Sequence, residues 1–154
     1  MLNNTSAILV IAGIILLFAI NFTVQTVRTR KSPLGKIINL YREVKYNEKL
    51  VERFGYRGSK HRFRTNVWLN HKHEIEFLSA DLLGLLAQTF EDIVRINETI
   101  DASVGGMQES YLTTVNVDPL KAPLQQAREQ LDMWIKKNIH NPEFAPKRPR
   151  FFGR

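Results

Sequence analysis

AILVIAGIILLFAINFTVQTV, residues 7–27, is the stretch on which the reading of the whole chain turns. Ala7 to Ile20 is apolar without a break, Asn21 is the first polar residue after it, and no charge follows until Arg28. At about 1.5 Å per residue a helix of this length spans about 31 Å, close to the thickness of a bilayer's hydrocarbon core. The stretch therefore reads as a single transmembrane helix. It does not read as a cleaved leader: MLNNTS in front of it carries no Lys or Arg, and the large Leu17 spoils the small-residue cleavage pattern.

The charges behind the stretch set its expected direction. Arg28, Arg30, Lys31 and Lys36 follow it closely. The bias of basic residues toward the inner face places the N-terminus outside and the remainder in the cytoplasm, or in the matrix for a mitochondrial inner membrane. The expected division is an N-terminal cap and span over 1–27, a basic linker over 28–33, a helical domain over 34–140 and a basic Pro/aromatic tail over 141–154.

Charge is unevenly distributed along the 154 residues. The net is +9 over 28–74, −7 over 75–118 and +5 over 119–154. An acidic middle between basic flanks suits a bundle whose middle element packs beside both others. A basic end and an acidic end with no internal pairing is the alternative. The chain has no cysteine, which excludes disulfides, thiolate metal sites and cysteine nucleophiles.

Three segments carry helical periodicity. Ser32 followed by Pro33 gives a capped start. Leu34, Ile37, Ile38, Tyr41, Val44, Leu50, Val51 and Phe54 then recur mostly at three- and four-residue steps, and Gly55 closes the run. The charged positions of this segment read as a solvated face.

Residues 79–100 carry the strongest stripe outside the apolar stretch: Leu82, Leu85, Leu86, Phe90, Ile93, Ile96 and Ile100. Leu82, Leu85, Phe90 and Ile93 are the expected core. Asp118-Pro119 opens a third helix with Leu120, Leu124, Ala127, Leu131, Trp134, Ile135 and Ile139, regular from near Ala122 because of Pro123. Its Trp134 is expected to be half core and half interface. The stripe of 79–100 is the widest, so that helix is expected in the middle, touching both others.

Between the first two helices, VWLNHKHEIEFL (67–78) alternates like a strand, yet Asn70 also offers a helix cap. A lone strand leaves its backbone unpaired, so helix is the preferred reading. His71 and His73 point about 200° apart on a helix and share no ion, and no third ligand follows at a metal-site spacing. No metal or cofactor is expected.

Two basic segments are the candidate contacts. In YRGSKHRFRTN (56–66), Arg57, Lys60, Arg62 and Arg64 surround Phe63. In the tail, Lys147, Arg148 and Arg150 precede Phe151 and Phe152, among prolines that favour an extended path and a disordered free state. Both fit an anionic surface or a partner protein. Nothing fixes a base against a nucleophile, so no catalytic residue and no small-molecule substrate is expected.

These readings converge on a mostly α protein: one N-terminal transmembrane helix, then a small helical bundle or extended helices, then the basic tail. The expected role is a non-catalytic single-pass accessory or scaffold subunit beside other subunits of a membrane complex. The alternative is a membrane-anchored binder of anionic lipid headgroups or nucleic acid through 57–64 and 147–154, with nucleic acid the weaker choice because no nucleic-acid-binding fold signature is present.

Overall fold

The computed structural model describes residues 14–16, 19–20, 32–54, 61–105 and 115–146. Four α-helices order them: α1 (Pro33–Arg53), α2 (Asn66–His71), α3 (Ala80–Gly105) and α4 (Lys121–Asn138). A 3-10 turn, Lys72–Glu74, follows α2, and another, Asp118–Leu120, leads into α4. There is no strand among the described residues, so 67–78 resolves as a short helix and a turn.

Among the described residues no helix is long and apolar enough to cross a membrane. Each long helix breaks its apolar positions with charged ones, as Lys36, Arg42, Glu43 and Lys45 do in α1. The single-pass anchor is corrected accordingly. The membrane localisation, the accessory-subunit role built on the anchor and the membrane-anchored binder alternative fall with it. Of residues 7–27, only 14–16 and 19–20 are described; they are helical and exposed, and the rest of that stretch lies outside the described residues.

Helix α1 begins where its chemistry dictates. Ser32 is extended, and its Oγ accepts a 3.0 Å hydrogen bond from the Gly35 N–H. Pro33 occupies the first helical position, where a missing N–H costs nothing. Ile37, Leu40, Val44, Leu50 and Val51 are buried along one face. Gly55, the expected stop, lies outside the described residues.

The order of packing differs from expectation. Helix α4 lies along α1 and also against α3, while α1 and α3 share no comparable interface. The middle helix is α4, not the acidic α3. The stripe of Leu120 in its lead-in turn and Leu124, Ala127 and Leu131 in the helix is completely buried, and each of the leucines stabilises the fold by about 1.5–3 kcal/mol. Two net-basic segments can lie together because their charges pair locally: Arg128 Nε of α4 lies 2.8 Å from Glu48 Oε2 of α1. Apolar burial and local pairs outweigh net segment charge, which water and salt screen.

The described part of the tail is also ordered against the fold. Residues 141–146 turn back so that the Phe144 carbonyl accepts from the Leu34 N–H at 3.2 Å, satisfying an orphan donor in the first turn of α1. The Phe144 ring meets Trp134 edge-on at 5.1 Å, and Phe77 at 5.3 Å. The disordered tail expected from 141 onward is thus corrected over 141–146; Lys147 to Arg154 lie outside the described residues.

Candidate functional site

Segment 61–68 crosses between α1 and α3, and its backbone is held by side chains. The Asn47 amide of α1 donates to the Arg64 carbonyl and accepts from the Arg64 N–H, both at 2.8 Å. The Asn97 amide of α3 does the same to Phe63, accepting from its N–H at 2.8 Å and donating to its carbonyl at 2.9 Å. Each primary amide pairs with one residue as a neighbouring strand would. The segment satisfies its backbone without a sheet.

Helix α2 starts immediately after this. Thr65 stands at its N-cap position without a side-chain cap bond. Glu43, on α1, supplies the cap from another element: Oε1 accepts from the Val67 N–H and Oε2 from the Trp68 N–H, both at 2.9 Å. Burial pushes the Glu43 carboxyl above its ordinary value of 4.5, while those two N–H groups and Arg64 pull it back. Trp68 then stacks on Phe90 of α3 at 5.2 Å, and Phe63 on Phe54 at 5.8 Å. No buried side-chain polar atom among the described residues lacks a partner.

This clamp sets the positions of the candidate contacts. Phe63 is 3 % exposed, so its ring belongs to the core. Arg64 turns outward, its guanidinium 3.7 Å from the centre of the Tyr46 ring. Arg62 is exposed and pairs with Asp101 of α3 at 3.2 Å. Arg57 and Lys60 lie outside the described residues, as do Lys147, Arg148, Arg150, Phe151 and Phe152. Trp134 is half-buried, its outer surface lined by Phe77 and Phe144. The structure therefore brings Arg62, Phe63 and Arg64 together, and holds Trp134 in a separate aromatic cluster.

The most distinctive charged surface lies on α1. Arg42, Lys45, Lys49 and Arg53 are all exposed and follow one another at steps of three, four and four, which puts them on one face. Arg64 joins them through Tyr46, which is one turn from both Arg42 and Lys49. Among the described residues, none of the four helix cations makes an ion pair, and Lys45 only overhangs the Tyr41 ring at 5.8 Å. Elsewhere the described cations mostly have carboxylate partners: Lys36 with Glu74, Arg95 with Asp92, Lys121 with Asp118, Arg128 with Glu48 and Lys136 with Asp132.

That spacing is present in the sequence, where it reads as a solvated face, since a charge run cannot show which acids fold within reach. Glu48 points to Arg128 and Glu43 inward, which leaves Glu52 as the exposed carboxylate of α1 on that face, and among the described residues no ion pair joins it to the stripe. Glu43, one of the charged positions of α1 expected on the solvated face, is instead buried, and the clamp of Asn47 and Asn97 is not among the expectations. Their one signal was a polar residue standing in line with an apolar stripe.

Among the described residues, no group of three or more His, Cys, Asp or Glu is placed to hold a metal ion. His71 Nδ1 lies 2.6 Å from Glu74 Oε2, and Lys36 Nζ lies 3.0 Å from the same oxygen. The His71 hydrogen bond first, and then Lys36, hold the Glu74 carboxyl below 4.5. This trio ties the turn after α2 to α1. No protein-family model matches the chain, and neither a curated protein nor a solved structure matches it.

Proposed function

We propose that this domain is a non-catalytic docking module that holds an acidic protein surface on the cationic stripe of α1. The observation that carries the reading is the contrast in pairing: Arg42, Lys45, Lys49 and Arg53 stay unpaired on a fold whose other described cations mostly meet carboxylates. The spacing supports a protein partner, because cations at three- and four-residue steps match the repeat of acids on a facing helix. Two aromatic positions speak against single-stranded nucleic acid. Phe63 is buried and Tyr46 is covered by Arg64, so neither offers a bare face for a base. The packed carboxylates also have structural work: Glu43 caps α2 and Glu48 holds α4.

Fluorescence anisotropy of the full-length protein tests this, with a labelled Glu-rich helical peptide and a single-stranded RNA of equal charge as ligands. The peptide is expected to bind more tightly than the RNA. Reversing Arg42 and Lys49 together to Glu is expected to weaken peptide binding at least ~10-fold, about 1.4 kcal/mol. RNA binding as tight as peptide binding refutes the choice of partner. Peptide binding untouched by the reversal refutes the surface.

A further inference from the structure

The exposed face of α3 is the counterpart of the α1 stripe. Gly84, Ala87, Glu91, Val94 and Glu98 are all exposed and recur at steps of three, four, three and four. Glu91 and Glu98 make no ion pair among the described residues, although Asp92 and Asp101 on the same helix do. They are seven residues apart, about 10.5 Å along the axis, the same separation as Arg42 and Lys49 on α1.

Gly84 is a second, independent observation. A Cβ built there has nothing within 4 Å, so packing inside the domain does not call for the glycine. Glycine within a helix weakens it relative to alanine. A glycine that nothing in its own fold needs, followed by Ala87 on the same open face, leaves the end of that face before Glu91 open to the close approach of another helix.

We infer that the acidic partner of α1 is α3 of a second copy of this chain, with Arg42 and Lys49 facing Glu91 and Glu98. This rests on the docking role proposed for α1. Matched charge rows on two helices packed at coiled-coil-like distance set both partner and register. With the helices parallel, Lys45 comes opposite Val94; antiparallel, it comes opposite Arg95, a like charge, so the parallel direction is the one the charges favour. Because the donor face and the acceptor face are different surfaces of one molecule, the contact is head-to-tail unless both pairings close within one dimer.

The absence of cysteine from the chain makes the test direct. Two differently tagged full-length copies, one with Lys45→Cys and one with Val94→Cys, are mixed under mild oxidation. A mixed disulfide between the copies is expected. A control pair, Lys45→Cys with Gln126→Cys on the exposed side of α4, is expected not to link. Adding Arg42→Glu and Lys49→Glu to the first copy is expected to abolish the link. Adding Glu91→Lys and Glu98→Lys to the second as well is expected to restore it, which also shows that the reversed chains remain folded. An absent 45–94 link overturns the pairing of copies, as does one that survives the one-sided reversal or is matched by the control. If the link is absent while the α1 reversal still abolishes binding of the Glu-rich peptide, the docking role stands and the second copy is the wrong partner. If both fail, both readings fall.

Discussion

Asn47 and Asn97 reach from α1 and α3 to adjacent residues of one segment, each pairing with both the N–H and the carbonyl of its target, Arg64 and Phe63. Two amides thereby do what a neighbouring strand does in a sheet, and they join helices that otherwise share little interface. Asn97→Ala leaves two backbone groups of Phe63 unpaired next to a buried ring. At about 1–3 kcal/mol for each unsatisfied group, a loss of about 2–6 kcal/mol is expected. Asn97→Asp keeps the acceptor for the Phe63 N–H but sets a carboxylate oxygen against the Phe63 carbonyl in a buried site, so it should cost at least as much as Ala. Denaturant unfolding of the three proteins gives the order, and an Ala variant as stable as the parent would refute the clamp.

Glu43 gives a dependence on pH whose sign follows from its burial. Its carboxyl is pushed above the ordinary 4.5 in the fold. Between 4.5 and the raised value the folded chain keeps a proton that the unfolded chain has released. The contribution of Glu43 to stability therefore falls as pH rises through that window. Glu43→Gln does not titrate and sets an NH2 group against one of the two N–H donors, a loss of about 1–3 kcal/mol. The gap in unfolding free energy between parent and Gln variant should narrow as pH rises. A gap that widens would mean that the two N–H groups outweigh burial.

How far the sequence foretold this arrangement depends on the range of the interaction. Local signals were legible: Ser32 and Pro33 open α1, Leu82, Phe90 and Ile93 point inward, and Asp118-Pro119 leads into the last helix. Which helix lies in the middle was not legible, because stripe width and segment charge both favoured α3. The result turned on a stripe with no gaps, Leu120 to Leu131, and on Arg128 meeting Glu48 across 80 residues of chain. The apolar run at 7–27 shows the opposite hazard. Hydropathy and length alone favoured a spanning helix, and no described helix meets that condition. The cationic stripe is visible as spacing, but its lack of ion pairs exists only once the chain is folded.

Phe144 links the end of the chain to its beginning. Its carbonyl accepts from Leu34, and its ring lies against Trp134 and Phe77. Aromatic contacts of this kind contribute about 0.5–1.5 kcal/mol each beyond area burial. Phe144→Ala should therefore destabilise the fold by about 1–3 kcal/mol, where an unstructured tail would contribute nothing. The chain has two tryptophans, so a Trp68→Phe background isolates Trp134. Its emission should shift to the red when Phe144 is removed. Unchanged emission and stability would place the tail off the domain.

Leu85 and Leu86 are neighbours that the sequence stripe treats alike and the fold does not. Both belong to the apolar series of α3, and Leu85 was the expected core residue. Leu86 is 0 % exposed, whereas Leu85 is only half-buried against the cluster. The two side chains point about 100° apart, and with α4 rather than α3 in the middle, α3 needs to cover only one narrower arc. Leu86→Ala removes three carbons from a closed interior, whose walls relax only in part, and should cost about 2–5 kcal/mol. Leu85→Ala opens toward solvent, leaves little enclosed void and should cost clearly less. Thermal unfolding of the two single variants decides between the arrangements. Equal losses would mean that α3 is enclosed on both sides, as a helix in the middle of the bundle would be. A larger loss at Leu86 is the signature of α3 as a flanking helix.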